Sequence, residues 1–106
     1  DTVIVMYAGK VFEQAPTREL FARPANPYTE GLLKSVPDPA HEQGTDLYQI
    51  PGLPPDVAHL PAGCSFAERC HRAEDICRTH SPPFVQINET HHSLCHFAKE
   101  VYAGSL

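Results

Sequence analysis

Four cysteines in a chain of 106 residues limit what this sequence can fold into more than any other feature. Cys64, Cys70 and Cys77 lie within GCSFAERCHRAEDIC, and Cys95 follows after seventeen further residues. A domain of this length buries a smaller share of its surface than a larger protein does, so a covalent or metal staple would strengthen it materially. The gaps of five, six and seventeen residues contain no CxxC. Tetrahedral zinc holds its sulfurs roughly 4 Å apart and favours chelating pairs close in sequence, and the wider spacing weakens that option. Were ERCHRAEDIC a single helix, Cys70 and Cys77 would stand two turns apart, about 10 Å along its axis. A cubane iron–sulfur cluster takes thiolates at the corners of a larger object and suits well-spaced cysteines better. Disulfides stay equally open at this point, since four cysteines allow three pairings and small secreted domains use them.

Histidines add alternative ligands. Of the seven in the chain, His71, His80, His91, His92 and His96 share the C-terminal half with the cysteines. Most read as exposed loop residues. His96 adjoins Cys95, although neighbours on a strand point to opposite faces. The formal net charge of -5, with acids and bases interspersed, leaves no basic stripe for a phosphate backbone, which excludes nucleic acid as a partner. No apolar run approaches the roughly 18 residues of a membrane span, and no charged segment precedes a leader-like apolar stretch. Catalysis lacks its parts: there is no GxxxxGKS/T loop to cradle phosphates and no acidic strand end for magnesium (neither Walker A nor Walker B). Ser65 and the histidines lack placed catalytic partners.

Eleven prolines, roughly twice the average share of about 5%, point to extended loop with short helices. Asp1 is not a start methionine, and Val3, Ile4, Val5 and Met6 form the near-continuous apolar run of a strand buried on both faces. A turn at Gly9-Lys10 returns the chain as a second strand from Val11 to Gln14. An isolated hairpin is marginal, so residues 1–15 are expected to be the tail of a larger domain. Thr17 is expected to cap a short helix that Pro24 stops, with Leu20 and Phe21 facing inward. Asn26 and Pro27 fit the N-cap and first position of a second helix carrying Tyr28, Leu32, Leu33 and Val36 and ended by Pro37. From 37 to 52 the chain turns polar and acidic, as a loop does, and YQIPGLPPD reads as a proline-braced extended segment. The expected fold class is α+β and loop-rich.

The stretch VIVMYAGKVFEQAPTRELFARPANPYTEGLLKSVPDP, then IPGLPPD, then LPAGCSFAERC and the cysteines at 77 and 95, resembles in order the C-terminal part of the ATP-binding subunits of oligopeptide and dipeptide ABC importers. The resemblance covers almost the whole chain. It implies that the N-terminal β-hairpin is a remnant of the nucleotide-binding domain. Residues 1–23 would be the end of that domain, hairpin and short helix, and residues 24–106 the C-terminal transporter domain with its proline-rich extended segment and four-cysteine element. Pro27 and Tyr28 match the family's His-Pro-Tyr motif, with Asn26 in place of its histidine. Glu68 and His71 stand where prolines usually flank the arginine-cysteine pair, and all four cysteine positions match.

The resemblance further implies a 4Fe-4S cluster on Cys64, Cys70, Cys77 and Cys95, which oxygen would strip from an isolated fragment, with zinc the lesser option. It implies a reducing cytoplasm, where structural disulfides are rare. ATP and magnesium would be bound by another part of the parent protein, which would couple ATP hydrolysis to peptide uptake at the cytoplasmic face of the membrane. This chain would then be a non-catalytic accessory and assembly domain. It would pack on its own ATPase core through Val3 to Val11 and on the partner ATPase subunit through the cysteine element, serving the membrane permease subunits indirectly. An iron- or redox-sensing role and a disulfide-stapled interaction module are the alternatives.

Overall fold

A computed structural model describes residues 1–35, 50 and 52–104. The chain opens with β1 (Thr2–Tyr7) and β2 (Lys10–Pro16), an antiparallel hairpin. Its turn is Ala8-Gly9 rather than Gly9-Lys10, and both residues have positive φ, 51° and 80°. A two-residue turn needs that conformation because its twist then matches the flanking strands. Further along the chain, β3 (Phe84–Asn88) and β4 (His91–Leu94) form a second antiparallel hairpin. Its connection is braced by Asn88, whose Oδ1 accepts bonds from the Thr90 N–H (3.0 Å) and hydroxyl (3.2 Å). β4 then pairs with β2, giving one four-stranded antiparallel sheet in the order β1-β2-β4-β3.

Two expectations about the first hairpin need correction. β1 is an edge strand, with Ile4 and Met6 54% and 56% exposed and Val3 and Val5 half-buried. Within this chain its apolar run is therefore covered on one face only. Nor does Thr17 act as a cap: helix α1 (Thr17–Ala22) starts at Thr17 itself with Pro16 before it. The Thr17 N–H and hydroxyl both donate to the Asp1 carbonyl, at 2.9 and 3.1 Å, and tie the helix start to the head of β1. Within α1, Leu20 is buried while Phe21 is 58% exposed, because successive helical residues point about 100° apart and cannot both face inward. The helix closes ahead of Pro24, as expected.

Helix α2 (Pro27–Ser35) begins as its sequence dictates, with the Tyr28 N–H donating to Asn26 Oδ1 at 3.0 Å. The expected roles of Val36, Pro37 and the loop to residue 49 lie outside the described residues. Residues 52–60 contain no helix or strand. The ERCHRAEDIC stretch is not one helix. A 3-10 turn (Ala67–Arg69) ends at Cys70, and α3 (Asp75–Thr79) starts afresh after Glu74. Helix α4 (Ala98–Gly104) closes the described chain and buries Ala98 and Val101. Among the described residues no helix is long and apolar enough to cross a membrane.

The interior has two parts. One is aromatic: Tyr7 packs on Tyr28, Phe66 and Phe12 with ring centroids 4.7, 5.2 and 5.3 Å apart, in the tilted and edge-on geometries that the ring quadrupole favours. The other is polar. Glu13, Asn26, His91 and Ser93 are all essentially inaccessible to solvent. His91 Nε2 pairs with Glu13 and Nδ1 with Glu19, linking the three side chains. Asn26 Nδ2 donates to the carbonyls of Phe12 and Leu94, each at 3.0 Å, and to Ser93 Oγ at 3.2 Å. Ser93 in turn donates to the Ala25 carbonyl at 2.7 Å. Buried polar groups are tolerated when bonded in this way.

Candidate functional site

Each cysteine is delivered by a different local device. Gly63 precedes Cys64 where the chain crosses α3, and a Cβ there would strike the Cys77 carbonyl oxygen and come within 2.7 Å of the Arg78 carbonyl carbon. Only glycine permits that approach. The Cys64 N–H then donates to the Cys77 carbonyl at 2.6 Å, which locks the two cysteine-bearing segments together. Phe66, two residues on, anchors the same loop in the aromatic cluster. Cys70 ends the 3-10 turn, Cys77 sits in the first turn of α3, and Cys95 follows β4 directly. The break between the 3-10 turn and α3 overturns the two-turn separation that a continuous helix would have imposed on Cys70 and Cys77.

All four cysteines line one cavity, together with Phe12, Phe66, Leu94 and Arg72. No disulfide joins any of the four. Among the described residues no three Cys, His, Asp or Glu side chains meet closely enough to hold a single metal ion. The sulfurs are therefore grouped around a shared space and not on a point. Backbone amides are aimed at them: Arg72 N–H at Cys70 Sγ (3.4 Å), Glu74 N–H at Cys77 Sγ (3.5 Å) and Phe97 N–H at Cys95 Sγ (3.4 Å). A thiol is a weak acceptor, whereas N–H donors favour the thiolate.

The thiols of Cys64, Cys70 and Cys95 resist ionisation. Burial is the main cause, and negative charge on neighbouring cysteines adds to it against the pull of the amides. Together they push Cys70 up to about 11 and Cys95 up to about 12. Cys64 moves the same way for the same first reason. Protonated, buried thiols are poor nucleophiles, so the group is not arranged for thiol catalysis. What it offers chemically is a set of four sulfurs with donors in place for the charge they would carry as ligands.

The histidines separate from this set. His71 faces Glu30 at 3.5 Å, His92 stacks on Phe84, and His91 belongs to the polar interior. His96 does line the cavity, but its Nε2 pairs with the His80 carbonyl at 2.8 Å. Two features escaped the sequence reading. One is the buried Glu13–His91–Glu19 linkage. The other is a two-pronged ion pair in which Arg72 Nε and Nη2 donate to the two oxygens of Glu30, at 2.9 and 3.1 Å. Glu30 lies on α2, distant in sequence from Arg72, and no periodicity connects them.

Comparison with known proteins covers the same ground. The family model for the oligopeptide/dipeptide transporter, C-terminal region, matches residues 12–77, more than half of the chain. A peptide import ATP-binding protein of Brucella ovis is 42% identical over 106 residues, covering 95% of this chain and 31% of that protein. The oligopeptide transport ATP-binding protein OppD of Mycobacterium tuberculosis is 44% identical over 95 residues, 90% of this chain and 16% of its own length. A peptide ABC transporter ATP-binding protein of Sinorhizobium fredii is 46% identical over 99 residues, 93% of this chain and 30% of its own. The chain thus spans about a third, or less, of the curated relatives it matches. On the strength of the family match, this chain belongs to the oligopeptide/dipeptide transporter C-terminal region family.

Proposed function

We propose that this chain is the non-catalytic accessory and assembly domain of the ATP-binding subunit of a peptide ABC importer, peripheral to the cytoplasmic face of the membrane. Residues 1–23 are read as the closing end of the nucleotide-binding domain and 24–106 as the C-terminal domain that continues from it. The relatives, named as peptide import and oligopeptide transport ATP-binding proteins, support this reading most strongly. ATP and magnesium would bind in the remainder of the parent protein, which would act with a second ATPase subunit and with membrane permease subunits. Deleting residues 55–106 from the full subunit should weaken association of the ATPase pair and lower peptide-dependent ATP hydrolysis. Unchanged association and hydrolysis would defeat the proposal.

Cys64, Cys70, Cys77 and Cys95 are proposed as the ligands of a 4Fe-4S cluster. The observation that carries this is four sulfurs around one cavity, with amide donors directed at three of them. When bound, such a cluster would supply four iron–thiolate bonds joining the Cys64 loop, the 3-10 turn, α3 and the end of β4, as structural metals do in other small domains. The chain's own part is to hold the sulfurs in register: Gly63 by its close approach, Phe66 by its anchor, and the amides of Arg72, Glu74 and Phe97 by their bonds. The role is structural.

A further inference from the structure

Arg72 lines the same cavity as the four cysteines. Its backbone N–H points at Cys70 Sγ, and its guanidinium lies within electrostatic reach of Cys70 and Cys95. The side chain is held from the opposite side by Glu30, only 13% exposed, through two hydrogen bonds. A Cβ placed on Gly104, the last residue of α4, would lie 3.9 Å from Nη2, so the end of that helix is near the guanidinium. The Arg72 side chain is itself 37% exposed, but a planar guanidinium fixed at two points by a carboxylate is a charge set in place.

We propose that the Arg72–Glu30 pair sets the electrostatic environment of the centre bound by the four cysteines, with Arg72 favouring and Glu30 opposing the addition of an electron to it. This inference rests on the cluster reading above. One-electron reduction adds a negative charge to the cluster, so a nearby cation stabilises the reduced form and a nearby carboxylate destabilises it. The two side chains therefore act with opposite signs, which a merely structural clamp would not do.

The test uses the intact subunit containing this chain, purified without oxygen. Iron and acid-labile sulfide are measured first, and the midpoint potential is then followed by electron paramagnetic resonance during dithionite titration. Arg72→Gln, which leaves the Glu30 charge unmatched, should shift the midpoint to more negative values. Glu30→Gln should shift it to more positive values, and the double variant should return close to the parent. Arg72→Lys, keeping the charge, should stay nearer the parent than Arg72→Gln. If Arg72→Gln cannot hold iron, the sign of the Glu30→Gln shift and the Arg72→Lys value decide. Shifts in the same direction, or none, with the cluster present would overturn this inference alone. Absence of iron and sulfide from the parent subunit would overturn the cluster reading and this inference with it.

Discussion

The polar interior around β2 and β4 and the cysteine cavity lie side by side in the fold but are held together on different terms. In the first, Asn26, Ser93 and His91 find long-range partners within the chain, across separations of 14 to 78 residues. In the second, four thiols face a common space, and the amides directed at them gain little from neutral sulfur. The first region is bonded largely from within the chain, although Glu13 Oε1 and Thr29 Oγ1 lack partners among the described residues, and the second is built to be completed. A buried polar network of the first kind specifies a single packing only when its members are paired. Breaking any partner should be costly there, while the cysteine region should respond chiefly to what the sulfurs bind.

The largest effect expected is from His91→Ala, which strips both Glu13 and Glu19 of their shared partner and leaves the buried Glu13 with the Ala25 N–H as its remaining hydrogen bond. Loss of one member of a buried pair costs about 3–5 kcal/mol, so urea unfolding should show a midpoint reduced accordingly. A loss under about 1 kcal/mol would break the contrast drawn above. Phe66→Ala should come next, at about 3–5 kcal/mol or somewhat less, since it removes the anchor common to the aromatic cluster and the Cys64 loop. That variant should also lower iron retention, whereas His91→Ala should leave any iron bound by the folded protein unchanged. Iron loss of equal size in both would merge the two regions into one.

Asn26→Ala removes the α2 cap and the donor to two strand carbonyls, and about 2–3 kcal/mol is expected from the unsatisfied groups it leaves. Thermal unfolding would read this directly, and a change within about 0.5 kcal/mol, the range of an ordinary surface substitution, would remove Asn26 from the account.

The smallest effect is a pH slope. Burial raises Glu13 above the ordinary carboxylate range against the bonds to His91 and from the Ala25 N–H. Between the ordinary value and that raised one the folded chain binds more protons than the unfolded chain, so stability falls as pH rises through the window. Glu19 behaves oppositely. Its burial would raise it, but bonds from Asn88 and His91, with the charges of His91 and Arg23, together lower it. Its contribution is present above the ordinary value and lost on acidification. Glu13→Gln should flatten the first limb and leave the second, as measured by denaturant midpoints across pH; identical slopes in parent and variant would contradict this.

Some helix boundaries were legible because their signals are local. Asn26-Pro27 marks a helix start and Pro24 a helix stop, while the spacing of the cysteines leaves a disulfide and a metal or cluster site equally open. The misreadings arose where tertiary packing overrides local pattern. The run Val3–Met6 looks doubly buried, yet β1 ends up at a sheet edge with one face open. For ERCHRAEDIC the sequence poses a continuous helix only as a condition, and the chain breaks after Cys70, with both sulfurs lining one cavity. The second hairpin was missed because FVQINETHHSL lacks a glycine turn and is rich in polar residues. His91 and Ser93 point inward only because Glu13, Ala25 and Asn26 wait for them, and nothing in their neighbours' sequence announces that pairing.

The central claim is that Cys64, Cys70, Cys77 and Cys95 serve one inorganic centre. Its most direct test is iron, sulfide and zinc analysis with a visible absorption spectrum on the subunit isolated anaerobically. The account predicts about four irons and four sulfides per chain, lost together when any one of the four cysteines is replaced by serine. Four free thiols with neither metal nor sulfide, or a single zinc per chain, would contradict it.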